Sequence, residues 1–258
     1  MKVTVCKNYD ELSKTTADFV AAYVNKKPNS LLCFPSGESP GGTIDYLVQY
    51  AHQGKVDFSE CYFVGLDEWV GVHEKNEGSC KYYLYSRLFT PLKIKEEKII
   101  FFNALARNLD HECKQIDTKI SAHGPIDIML VGVGLNGHIG LNEPGVLFDS
   151  YSHHIDLDPL TKSVAKKYFK QETILTAGIT LGLKHLMESK VAILIASGIK
   201  KAEIIYKALN EEVSNKIPAT IIQKHPNSFV FIDKEAASNL TNRDFTDLNG
   251  FHRLANKH

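Results

Sequence analysis

Ile126-Asp127-Ile128-Met129-Leu130-Val131-Gly132-Val133-Gly134-Leu135-Asn136-Gly137-His138 decides how the chain folds. Residues 126–133 are almost continuously apolar and then give way to glycines and polar side chains. A strand with one face in water alternates apolar and polar residues. A run without alternation belongs to a strand covered on both faces, as in the parallel sheets of α/β proteins. Working outward, short runs of the same kind occur at 3–6, 31–34, 62–66, 98–102, 191–197 and 229–232. Longer amphipathic stretches separate them, and the spacing predicts helices over 9–24, 41–53, 82–89, 110–122 and 200–209. In the last of these Ala202, Ile205, Tyr206 and Leu209 share one face at the helical period. In the first, Leu12, Phe19, Val20 and Tyr23 fall near one stripe. This alternation predicts an α/β fold, a single doubly wound, mostly parallel sheet with helices on both faces, in one domain spanning 1–258. Ligands of such sheets sit beyond the carboxyl ends of the strands. The residues that follow each strand are therefore where chemistry is expected.

Composition narrows the class. The chain has 258 residues, 43% hydrophobic and 23% charged, enough to bury a core without disulfides or metals. Thirty basic residues balance thirty acidic ones, which argues against a nucleic-acid binder. The run 191–196 is too short for a membrane span, and the first eight residues lack the apolar core of a signal peptide. The five cysteines, Cys6, Cys33, Cys61, Cys80 and Cys113, form no Cys-x-x-Cys pair. Cys6, Cys33 and Cys61 read as small buried apolar residues, and the set fits a reducing cytoplasm. The stretch 146–173 fits the alternation least. It is polar, carries His153, His154 and Pro159, and has a lysine-rich patch at 162–170. It reads as an excursion from the sheet, a mobile cover segment around 146–175.

Three strands end in unusual loops. Pro35-Ser36-Gly37-Glu38-Ser39-Pro40-Gly41-Gly42-Thr43 follows the second strand and precedes a helix. Small residues let backbone N–H groups approach an anion, and a helix N-terminus adds donors and a favourable dipole. The segment is either a phosphate cradle or an ordinary capped turn; it is not a Walker loop. Asp67-Glu68-Trp69 follows the third strand. One of the two acids faces the crevice as a base, or else Asp67 caps a helix and Glu68 is solvated. Gly134-Leu135-Asn136-Gly137-His138-Ile139-Gly140-Leu141-Asn142-Glu143-Pro144-Gly145 is the most informative loop. His138 between glycines has little to pack against, and Glu143 can fold back to orient it. The glycine spacing departs from a dinucleotide fingerprint, and two ligands do not make a metal site.

These residues resemble a family. Gly65-Leu66-Asp67-Glu68-Trp69-Val70-Gly71 and Gly137-His138-Ile139-Gly140-Leu141-Asn142-Glu143-Pro144-Gly145 are similar to the glucosamine-6-phosphate deaminases. The resemblance runs from Ser36 to His225-Pro226. The related 6-phosphogluconolactonases share the Rossmann-like fold and the Gly-His, but not the Asn-Glu-Pro-Gly. Where the deaminases usually have Asp-Gly-His, this chain has Asn136-Gly137-His138, which looks like the galactosamine-6-phosphate isomerase branch. That resemblance implies conversion of galactosamine 6-phosphate to tagatose 6-phosphate and ammonia. The alternatives are a glucosamine-6-phosphate deaminase giving fructose 6-phosphate, a non-catalytic sugar-phosphate sensor, and, with least support, a lactonase.

The resemblance also implies roles. Asp67 would carry the proton from C2 to C1, His138 would open the pyranose ring, and Glu143 would orient His138. Asn136 replaces a second carboxylate, keeping its shape and a hydrogen bond but not its charge. Ser36, Gly37 and Ser39 would hold phosphate, with Glu38, in place of a glycine, pointing away. Lys201, in Gly198-Ile199-Lys200-Lys201-Ala202, and Lys167, in place of an arginine, would supply its cations. The positions matching the allosteric amino-sugar site of hexameric relatives are His153 and Ile155, so the allostery is not carried over. The resemblance implies no cofactor and no metal, a small-molecule sugar phosphate as partner, and neither nucleic acid nor membrane. The composition suits a monomer and a homo-oligomer equally.

Overall fold

A computed structural model describes residues 1–241. In chain order its elements are β1 (Lys2–Cys6), α1 (Tyr9–Lys26), β2 (Leu31–Phe34), α2 (Glu38–His52), β3 (Tyr62–Gly65), β4 (Asp67–Trp69), α3 (Cys80–Leu84), β5 (Ile99–Ile100), α4 (Leu109–His123), β6 (Ile128–Val131), β7 (His153–Asp156), α5 (Pro159–Ala165), β8 (Ala177–Thr180), α6 (Leu183–Glu188), β9 (Val191–Ala196), α7 (Ala202–Asn210) and β10 (Ser228–Asp233). The seven runs expected to be strands become the seven strands of one sheet, in the order β1-β10-β9-β6-β2-β3-β5. Every pairing in it is parallel.

β6 lies in the middle, and its residues alternate between two cores. Met129 and Val131 join Leu194, Ile232, Ile116 and Ile205 on one face. Ile128 and Leu130 join Ile193, Ile195, Leu32, Phe63 and Phe19 on the other. Successive strand side chains point to opposite faces, so a strand with helices on both sides must be apolar throughout. That is the physical content of the run at 126–133.

The structure departs from the expectation of a single sheet. After Leu66 the chain leaves the parallel sheet and forms β4, which pairs antiparallel with β8; β8 pairs in turn with β7. Asp67, Glu68 and Trp69 therefore lie on a strand of a second, three-stranded sheet and not in a loop. The stretch 146–173 is likewise not wholly an excursion, since β7 belongs to that second sheet. Its later part, α5 and the turn Lys166–Tyr168, hangs over the carboxyl end of the main sheet. α2 begins at Glu38, earlier than expected, because Pro40 falls in the first turn, where a missing N–H costs nothing. The helix expected over 82–89 begins at Cys80 and widens into a π turn over Tyr85–Phe89. Among the described residues no helix is long and apolar enough to cross a membrane.

Candidate active site

The carboxyl ends of β2, β3 and β6 open into one crevice, roofed by α5. Asp67 stands on its wall, 9% exposed. Burial raises its carboxyl to about 7, the charge of Glu68 adds to the rise, and a hydrogen bond with Cys80 partly offsets it. Among the described residues no cation forms an ion pair with it. Its neighbour does the opposite job. Strand alternation turns Glu68 away from the crevice. Its carboxylate accepts from the amides of Trp69, Cys80 and Lys81 at 2.9, 3.0 and 2.8 Å and from the Ser79 hydroxyl at 2.7 Å. The capping acid is thus Glu68, buried, and not Asp67. Trp69 packs edge-on against Phe169, 6.5 Å between ring centres, and also lines the crevice.

The loop after β6 brings together the histidine and glutamate. His138 Nδ1 is 3.4 Å from Glu143 Oε2. Gly134 permits the placement, since a Cβ there would lie 2.3 Å from the imidazole Cε1. The loop closes on itself through the Gly134 amide, which donates to the His138 carbonyl at 2.9 Å. Asn136 donates from Nδ2 to Glu143 Oε2 at 2.9 Å, and its Oδ1 accepts from the His138 amide at 3.2 Å. The neutral amide therefore offers Glu143 a donor where a carboxylate would repel it. Burial pushes the Glu143 carboxyl up, but hydrogen bonds with His138, Thr161 and Asn136 and the histidine's charge hold it below the ordinary carboxylate value. Asn142 is structural: its Nδ2 ties Ile139 to Leu181 through carbonyl bonds of 2.8 Å each.

The other end of the crevice gathers small residues, the start of α2 and two lysines. Gly37 takes φ +117°, a conformation that favours glycine, and turns the chain into α2. No side chain caps that helix, and its first residues line the crevice beside Ser36. Tyr83 and Tyr9 pin the turn by donating to the carbonyls of Gly37 and Glu38, each at 2.6 Å. Lys201 enters from the turn after β9 and donates to the Val133 carbonyl at 2.6 Å. Burial, then the nearby Lys167, lowers its ammonium to about 8. Lys167 reaches over from the roof. Glu38, expected to turn away from a bound phosphate, has an exposed carboxylate that pairs with Lys167 at 2.6 Å.

Three crevice residues escaped the sequence analysis. Cys80 joins Ser36 and Asp67 by hydrogen bonds, Thr161 meets His138, and Tyr168 lies above Gly37. None sits in a glycine-rich loop or after a main-sheet strand, which was the signal used. His153 and Ile155 lie on β7, away from the crevice lining. Among the described residues no group of three His, Cys, Asp or Glu side chains is arranged to hold a metal ion.

A parallel α/β sheet with a buried carboxyl and a histidine in a crevice at its carboxyl end is an architecture that places ligands there. The chain belongs to the family described as glucosamine-6-phosphate isomerases/6-phosphogluconolactonase, whose pattern matches residues 7–231. It is 34% identical over 249 residues to the glucosamine-6-phosphate deaminase of Thermoanaerobacter pseudethanolicus, covering 96% of this chain and 98% of that one. It is 37% identical over 241 residues to the glucosamine-6-phosphate deaminase of Clostridium botulinum strain Loch Maree, covering 93% and 99%. A solved structure of a monomeric glucosamine-6-phosphate deaminase, a "missing link of the NagB superfamily", superposes with a TM-score of 0.90 at 33% identity, covering 93% of this chain and all of that one.

Proposed function

We propose that the crevice carries out the deaminating isomerisation of a hexosamine 6-phosphate, with glucosamine 6-phosphate and water giving fructose 6-phosphate and ammonia. The observation that carries this reading is Asp67, buried without a cation and raised to about 7, in the crevice that His138 also lines. A carboxyl near the working pH is suited to taking and returning a proton. In this reading His138 opens the pyranose ring, held by Glu143 and Asn136. Asp67 takes the proton from C2 of the open chain and returns it to C1, while the C2 ammonium gives up one proton and the C1 oxygen gains one to become a hydroxyl. The iminium left at C2 adds water and releases ammonia. Ser36, Gly37 and Ser39 receive the phosphate with Lys201 and Lys167, and the roof from α5 to Tyr168 is its cover.

The curated relatives, named for glucosamine 6-phosphate, support the gluco sugar better than the galacto sugar expected from Asn136. The galacto reading still has Asn136 in its favour. A lactonase is disfavoured by Asn142-Glu143-Pro144. Ammonia release from the two amino-sugar phosphates in parallel tests the proposal. Faster release from glucosamine 6-phosphate is expected. Faster release from the galacto sugar would reverse the preference and keep the chemistry. No ammonia from either, with phosphate still bound, would overturn the reading in favour of a sensor.

A further inference from the structure

His138 has a second partner that does not belong to its loop. Thr161, 23 residues away on α5, places its hydroxyl 3.1 Å from Nδ1, closer than Glu143 at 3.4 Å. The same hydroxyl is among the groups that lower the Glu143 carboxyl. A hydroxyl accepts and donates at once. Nδ1–H can therefore donate to Thr161 while Thr161 donates to the carboxylate. Thr161 is 4% exposed, so bulk water is poorly placed to substitute for it. Nε2 has no hydrogen-bond partner among the described residues, and His138 lines the crevice.

The roof is fastened at both ends. The Asp158 amide, at the start of α5, donates to Glu143 Oε1 at 3.2 Å. Past the end of α5, Lys167 pairs with Glu38 at 2.6 Å, and the Tyr168 hydroxyl lies 3.7 Å from where a Cβ of Gly37 would be. One short stretch, 158–168, thus touches both the histidine–glutamate pair and the anion cradle.

We propose that Thr161 is a positioning residue: it bridges His138 and Glu143, keeps the proton on Nδ1 and leaves Nε2 for substrate, so that seating the roof on a bound phosphate sets the imidazole. The catalytic side of this inference rests on the proposed function; the structural side does not. The test is nitrogen-15 NMR of the histidines in the full chain, titrated with inorganic phosphate, for wild type, Thr161→Val and Thr161→Ser. In wild type His138 should carry its proton on Nδ1 and its signals should move as phosphate binds. Thr161→Val should lose both features, and Thr161→Ser should restore them. In the enzyme assay Thr161→Val should lower kcat by about tenfold with KM nearly unchanged, and serine should recover it. A valine variant that keeps the Nδ1–H signature and the phosphate response would overturn the inference, whatever its activity. A wild type that releases no ammonia yet shows the phosphate-coupled His138 signals would overturn the proposed function and leave this inference standing.

Discussion

Two buried aspartates stand beyond opposite ends of the main sheet's strands. Asp127, just before β6 at the amino edge, is 1% exposed; Asp67, beyond β3 at the carboxyl edge, is 9% exposed. Asp127 is held by Lys27 at 2.5 Å, Lys190 at 2.9 Å and the Leu31 amide at 2.9 Å. Burial pushes its carboxyl up, but those partners win and keep it below the ordinary carboxylate value. Asp67 has a thiol and a second acid for neighbours and stands at about 7. Burial is common to both, so the partner decides whether a buried acid is a fixed charge or a proton carrier. Glu38 completes the series, with a cation and little burial.

The largest expected effect separates the two aspartates by function. Asp67→Asn should lower ammonia release by about three orders of magnitude. It should also stabilise the protein. An acid whose folded pKa is raised binds its proton more tightly when folded, so Asp67's contribution to stability is lost as pH rises from 3.8 to about 7. Above that window the asparagine variant should gain up to about 4 kcal/mol, with no gain below it. Urea unfolding at pH 8 and pH 3 measures this, and a variant weaker than wild type at pH 8 would break the comparison at its catalytic end.

Asp127→Asn should leave turnover near wild type and cost about 3 kcal/mol at neutral pH, because two lysines lose their counter-charge. A lowered carboxyl contributes stability above its unfolded value and loses it as pH falls through the folded one. The difference from wild type should therefore close in acid. Denaturant midpoints across pH decide it, and equal midpoints at neutral pH would mean that the lysines do no more than offset the cost of burying the carboxylate.

The smallest effect belongs to the exposed pair. Lys167 and Glu38 side chains are 43% and 74% exposed, so their contact is worth at most about 1 kcal/mol. Glu38→Gln should free Lys167 for the anion and tighten inorganic phosphate binding by up to about fivefold. Calorimetric titration reads this directly; weaker binding would show that Glu38 supports the cradle instead of competing for it.

Much of this was legible before any coordinates. The seven main strands could be read because a strand covered on both faces must be apolar at nearly every position. His138 and Glu143 could be paired because their loop is local in sequence and its glycines leave the histidine little else to do; Asn136 came in only with the family resemblance. β4 could not be read: a three-residue Asp-Glu-Trp segment carries no strand pattern, and it is a strand only because β8 lies beside it. The roles of Asp67 and Glu68 had the same origin. One residue apart, they face opposite ways on a strand that tertiary pairing creates.

The sequence by itself determined which segments must be buried and which loops carry glycines, acids and the histidine, since burial and turn chemistry are written in adjacent residues. Only the tertiary structure decided which buried acid has a cation, that Thr161 and Cys80 reach His138 and Asp67, and that Lys167 meets Glu38 across 129 positions. Those choices depend on distances between segments remote along the chain, and electrostatic and hydrogen-bond energies fall off with distance in space and not with separation in sequence.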